Sequence, residues 1–260
     1  MKIKAIAALA YLGLVVSMAG SVQAVAATAN FVQNGDFTIV TGGTNGHLGT
    51  GGFNATGWTT TGYNFLFNSA SEANTGSGLE LWGPGSRGGG SANGFTNSPT
   101  GGNFVGLDGA YPVGNVKGIS QTIGNSTTGF LTVGQTYLLT FYTAAAQQEG
   151  FSGITTDYFN VSLGTVSPSN PIQKTATVTN ASHGFVPWTK QTMLFKADAT
   201  SEVLTFLSTG TPNGTPPFAL LDGVSLTVVP EPSSVAAMLI GVLGLGVILF
   251  KRFRRKNTAA

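Results

Sequence analysis

From about residue 100 to residue 229, apolar side chains recur at every second position, and this period constrains the fold more than any other feature of the chain. In DYFNVSLG, Phe159, Val161 and Leu163 share one face while Tyr158, Asn160 and Ser162 share the other. QTYLLTFYT aligns Tyr137, Leu139 and Phe141, and MLFKA aligns Met193, Phe195 and Ala197. FALLDGVSLTVV predicts a single face carrying Phe218, Leu220, Asp222, Val224, Leu226 and Val228. FVGLD, GISQTI and VLTFLS are further strand candidates. Alternation of this kind belongs to strands with one buried face, because successive side chains of a strand point to opposite sides. Gly, Asn, Pro and Asp between the runs supply the turns. No segment between the two chain ends shows helical periodicity of useful length. The expected fold is therefore all-β, an antiparallel, jelly-roll-like β-sandwich.

The N-terminal third is less regular. Gly42 to Gly52 and Gly83 to Gly102 are glycine-rich and read as long surface loops. The chain has no cysteine, so the sandwich must be held by its apolar core without disulfides. Some 200 residues are enough for one such domain.

Charge is segregated toward the ends. Lys2 and Lys4 open the chain, and five of the six residues from Lys251 to Lys256 are basic. Between Val25 and Val229 five basic residues face nine acidic ones, a net of about −4. A nucleic-acid-binding surface needs a basic face or stripe, and none exists here, so that class is excluded.

Both ends read as membrane-directed. Lys2 and Lys4 precede an apolar stretch from Ala5 to Met18, and SVQAVAA then offers small residues for a signal peptidase. Residues 1–26 are thus expected to be a signal peptide, beginning as a signal helix, with 27–229 as the exported body. At the other end, Val235 to Phe250 is uncharged and almost wholly apolar. As a transmembrane helix these residues would extend roughly 24 Å, and Lys251 and Arg252 can snorkel to complete a crossing of a ~30 Å hydrocarbon core. Basic residues after a span favour the cytoplasmic side, which puts the body on the far side of the membrane.

The terminal block also carries a family resemblance. Val229-Pro230-Glu231-Pro232, Ser233-Ser234, an apolar stretch with Gly241, Gly244 and Gly246, and then Lys251, Arg252, Arg254, Arg255 and Lys256 follow in order. The block resembles a PEP-CTERM sorting signal. That resemblance implies a Gram-negative bacterium that makes extracellular polysaccharide, and an exosortase-type membrane protease that acts on the segment 230–256. It implies an inner-membrane anchor that is kept until processing, followed by a cell-surface or extracellular location. The residues fit independently, since Pro230 and Pro232 cannot donate to a sheet and would end the last strand. An ordinary stalk before an ordinary anchor is the alternative.

The body resembles carbohydrate-binding, galactose-binding-like jelly rolls through short landmarks in order. These are Asn34-Gly35-Asp36-Phe37, Gly57-Trp58, Phe104 to Gly109, Gly118 to Ile123, Leu131 to Tyr137 and Leu221 to Leu226. By that resemblance Asp36 and Asp222 would meet around a structural Ca²⁺, which takes hard oxygen ligands. Thr38 and Gly223 stand where the family often has further acidic residues, so the two aspartates equally read as turn formers. Trp58, Trp82, Tyr111 and Trp188 are candidate sugar platforms, with Asp108 and Asn103 as polar neighbours. Each tryptophan also reads as a core packing residue.

Little points to catalysis. His47 and His183 are the only histidines, and with no cysteine no transition-metal spacing occurs. No G-x-S-x-G elbow is present. Gly83 to Gly88 formally matches G-x-G-x-x-G, but the residues after it cannot open the helix that a dinucleotide needs. The expectation is a non-enzymatic surface protein contacting polysaccharide. The alternatives are a structural or adhesive surface protein without a defined ligand, an ice-binding protein, and a glycan-active enzyme using carboxylates such as Asp108, Glu149 and Asp157.

Overall fold

The computed structural model describes residues 29–76, 78–111, 118–168 and 170–229. The expected signal segment (1–26) and the expected sorting triplet, span and basic cluster (230–256) lie outside the described residues. Among the described residues, no helix is long and apolar enough to cross a membrane.

In chain order, the first strands are β1 (Val40–Thr41), β2 (Gly46–His47), β3 (Asn54–Ala55), β4 (Thr59–Thr61) and β5 (Asn64–Phe67). A short helix α1 (Ala70–Thr75) precedes β6 (Phe104–Asp108) and β7 (Gly118–Ile123). The rest are β8 (Thr136–Gln147), β9 (Thr155–Leu163), β10 (Gln173–Lys174), β11 (Val178–Asn180), β12 (Phe185–Lys196), β13 (Glu202–Thr211) and β14 (Pro217–Val228).

Two six-stranded sheets form, and every strand pairing in them is antiparallel. The first runs β12-β8-β14-β6-β5-β2; the second runs β10-β9-β13-β7-β4, with β11 also on β9. From β6 onward, the long strands alternate between the two sheets.

The alternation read from the sequence fills that core. Tyr137, Leu139 and Phe141 of the first sheet meet Phe159, Val161, Leu163, Leu204 and Phe206 of the second, all fully or almost fully buried. Phe206 is the hub, edge-on to Phe141 at 5.0 Å and to Phe159 at 6.1 Å. Each such side chain contributes roughly 1.5–3 kcal/mol by leaving water.

The first sheet is also buried on part of its other face. A second apolar cluster joins Phe65, Phe67, Phe104, Phe218 and Leu220 to Leu79, Leu81, Phe95 and Phe185. The stretch 83–102 is a mostly exposed loop, as read from the sequence, but Phe95 within it is buried and fastens it as a cover over the sheet. Phe95 packs against Phe185 at 4.5 Å, and the Leu81 and Trp82 amides donate to the Ala73 and Gln147 carbonyls. Helix α1 is part of the same cover. Ser69 caps it by accepting from the Glu72 amide, while the Glu72 carboxylate accepts from Asn68 N–H.

The single face expected for β14 is corrected by a bulge. Asp222 pairs with Tyr142 but Ser225 pairs with Thr140, so β14 carries one extra residue. Phe218 and Leu220 consequently face the cover, whereas Val224 and Leu226 face the sandwich core. Gly223, at φ +61°, makes the flip.

Candidate functional site

The site is built where β5 begins beside the end of β6. Leu66 of β5 packs in the sandwich core while Phe65 and Phe67 pack under the cover. At the first position of this strand, Asn64 is buried and donates through Nδ2 to Thr60 Oγ1 (2.7 Å), the Thr61 carbonyl (3.0 Å) and the Gly118 carbonyl (3.2 Å). These bonds tie the start of β5 to β4 and β7 of the opposite sheet and fix the position of Tyr63.

Asp108 does the same for the partner segment. Its amide donates to the Tyr63 carbonyl at 3.1 Å, and its Oδ1 accepts from Ala110 N–H at 2.8 Å. An aspartate bonded two residues ahead turns the chain and presents Tyr111. Gly109 permits the turn to lie against β13, since a Cβ there would come within 2.4 Å of the Gly210 nitrogen.

The result is a stacked tyrosine pair, with Tyr63 and Tyr111 at 5.0 Å between ring centroids and 18° between planes. Phe65 meets Tyr63 edge-on at 4.7 Å, and His47 lies flat on Phe65 at 5.4 Å. Both tyrosines are half-buried. On the Tyr63 side is a depression of about 350 Å³, whose wall includes Glu80, Arg87, Gln148 and Glu149. On the Tyr111 side is another of about 210 Å³, bounded by Asp108, Phe151, Asn213 and Pro216.

The Glu80 and Asp108 carboxylates beside the pair are engaged. Glu80 is buried and held by Arg87, whose Nε donates to Oε1 and whose backbone N–H donates to Oε2 at 3.1 Å. Burial raises the Tyr63 hydroxyl above its ordinary range, followed by the negative field of Asp108 and by Tyr111. Asp157 of β9, buried and close enough to feel Asp108, is pushed well above the usual carboxylate range, chiefly by desolvation.

The structure brings Asp108 and Tyr111 together and places the other expected residues elsewhere. Trp58 lies in the sandwich core, its indole N–H on the Asn34 carbonyl at 3.0 Å and its ring against Phe37. Trp82 is buried under a stacked His183 at 3.8 Å and donates to the Phe151 carbonyl. Packing is thus the reading that describes both. Trp188 is half-buried at the rim of the second cluster, edge-on to Phe104, with its indole N–H on the Thr96 carbonyl. Asn103 donates to the Phe37 carbonyl and is not a neighbour of the tyrosines by any bond. Tyr63 went unnoticed in the sequence, although Tyr63, Phe65 and Phe67 alternate with the period of a strand face.

Asp36 and Asp222 do come within electrostatic reach. Asp36 is exposed and accepts from Thr38 Oγ1 at 3.1 Å. Asp222 is fully buried at the bulge and accepts from the hydroxyls of Ser98 and Thr100, clamping that segment to β14. Burial pushes its carboxyl up to about 6, helped by Asp36 and opposed by the bonds from Ser98, Thr100 and the Gly223 amide. Among the described residues, no group of three or more His, Cys, Asp or Glu side chains assembles around them. Two carboxylates and two hydroxyls are four side-chain groups, so backbone carbonyls would have to supply the rest of the six to eight oxygens of a calcium shell; Asp222 Oδ1 is buried with no hydrogen-bond partner.

No family model matches the chain, and no curated protein matches it. Solved structures give distant likenesses. An arabinose-bound α-L-arabinofuranosidase is 12% identical with a TM-score of 0.39, and the chain covers 26% of that protein with 77% of itself. TmCBM61 in complex with β-1,4-galactotriose is 14% identical over 78% of this chain and 100% of that one, at 0.39. The CBM22-1 xylan-binding domain of Paenibacillus barcinonensis Xyn10C is 13% identical over 79% and 99%, at 0.35. The chain spans about a quarter of the arabinofuranosidase, and likenesses at these scores carry no argument about a ligand.

Proposed function

We propose that the body of this protein contacts polysaccharide, without turning it over, through the pole built on Tyr63 and Tyr111. The observation that carries this reading is the stacked, half-buried tyrosine pair standing between a polar depression on the Tyr63 side and a mainly apolar one on the Tyr111 side. Aromatic faces take the C–H face of a pyranose, and nearby amides, carboxylates and guanidinium groups take its hydroxyls. Gln148, Glu149 and the largely exposed Arg87 side chain stand in the right place for the second role. Glu80 and Asp108 are bound to Arg87 and to the Ala110 amide. Such engagement suits fixed recognition better than proton transfer.

The body is delivered as an exported protein, with residues 1–26 removed by signal peptidase. Residues 230–256 form a PEP-CTERM sorting segment, which holds the inner membrane until an exosortase-type protease acts on it. What supports the strand-stop part of this reading is that Val229 N–H still bonds the Thr136 carbonyl, so Pro230 follows the last ladder bond directly.

Affinity electrophoresis of the purified protein through gels containing neutral glucan, xylan, galactan or an acidic exopolysaccharide tests the binding reading. Retardation by at least one gel is expected. Tyr111→Ala should weaken it about tenfold, roughly 1.4 kcal/mol, with unfolding little changed. No retardation in any gel would leave a structural surface protein without a defined glycan.

A further inference from the structure

We infer that the opposite pole of the sandwich is a membrane-docking surface, seated on the lipid interface from which the body is tethered. This rests on the reading of residues 235–250 as a membrane segment. Strand β14 runs 12 residues from Pro217, beside Asp108 and the tyrosine pole, to Val228. At about 3.4 Å per residue its two ends are roughly 40 Å apart. Val229 leaves from the far end, where its amide and carbonyl are held by Thr136 and Gln135. The other terminus of the body leaves there too, since Phe31 N–H bonds the Leu226 carbonyl.

The same end collects exposed apolar side chains. Phe130, Val133 and Val166 on loops and Val203 at the start of β13, all 46–63% exposed, meet at the 197–203 turn. Leu131 and Gly134 donate to the Thr200 and Ala197 carbonyls, and Gly164 donates to the Val203 carbonyl. Leu194 and Ile172 continue the patch, joined by Gln173 Nε2 on the Leu194 carbonyl at 2.6 Å. These six are most of the nine large apolar side chains exposed among the described residues.

Charge does not oppose the docking. Residues 124–135 and 164–172 contain no charged side chain. In the 197–203 turn, Glu202 is buried and accepts from the Asp198 and Ala199 amides, which leaves Asp198 as the exposed carboxylate of that turn. Scattered single apolar residues need no explanation, but a patch on uncharged loops at the tether point does. The tether is short. Residues 230–234 separate Val229 from the apolar stretch, and five residues reach at most about 18 Å. A body held that closely, tethered pole first, meets the interface with this patch, and apolar and aromatic side chains partition there. The tyrosine pole is then held outward, toward matrix.

The chain has no cysteine, so single labels are unambiguous. Full-length Val133→Cys and Ile154→Cys, each carrying an environment-sensitive fluorophore, are reconstituted into phosphatidylcholine vesicles with nitroxide-labelled acyl chains. Ile154 is equally apolar and exposed but lies before β9 at the tyrosine pole. Quenching at 133 should exceed that at 154 several-fold, and adding Phe130→Asp with Val203→Asp should abolish the difference. Equal quenching at both positions in protein that floats with the vesicles overturns the docking and leaves the anchor standing. Protein that does not float with vesicles overturns the anchor and the docking together.

Discussion

Asp222 has a carboxyl buried at a bulge and held by two hydroxyls, with its affinity for a proton raised to about 6. In the unfolded chain the same group titrates near 3.8. The folded state therefore binds the proton more tightly, and this group's contribution lowers stability as pH rises from about 4 to about 6. The cost is absent below the lower value and complete above the upper one, about 3 kcal/mol. Urea unfolding at pH 4 and pH 7 should show Asp222→Asn gaining on the wild type by about that amount at the higher pH. Asp157 has the same sign, so Asp157→Asn should gain in the same direction. Millimolar calcium at pH 7 should leave the wild-type Tm unchanged; a rise that vanishes in Asp222→Asn would assign Asp36 and Asp222 to the ion. The resemblance to galactose-binding-like jelly rolls pointed to Asp222 as a calcium ligand or a turn former. It could not distinguish ligand from clamp, because Ser98 and Thr100 are more than 120 residues away in the chain.

At the scale of the element, strands with one wet face were readable and the doubly buried sheet was not. DYFNVSLG alternates cleanly because β9 buries one side only. FVGLD and NFLF are buried at every position, since the cover lies on their second face, and a continuous apolar run does not say what covers it. The cover itself hid behind its glycines. Its anchors are Leu79, Leu81 and Phe95, spaced too widely for any period. Phe95→Ala should cost about 3–5 kcal/mol and open the 83–102 stretch to limited proteolysis ahead of the body. The bulge was equally hidden, Asp-Gly being a common turn pair. Gly223→Ala places a methyl group 2.6 Å from the Thr100 side chain at a positive φ. It should lower stability by more than about 1–2 kcal/mol, and unfolding by urea measures it.

As a whole molecule, the protein is a two-ended object. One end gathers Tyr63 and Tyr111 between two depressions; the other releases both termini of the body beside an apolar patch. Half of the tyrosine site was visible as Asp108 and Tyr111, and the other half arrives only when Asn64 pins β5 to the opposite sheet. The central claim is that polysaccharide lands on this end. Hydrogen–deuterium exchange of the full chain, with and without a retarding oligosaccharide, tests it most directly. Protection is expected in 62–66, 108–111 and 147–151, with 124–135 and 164–172 unchanged. Protection confined to the β12 face around Trp188, or none at saturating ligand, would contradict it.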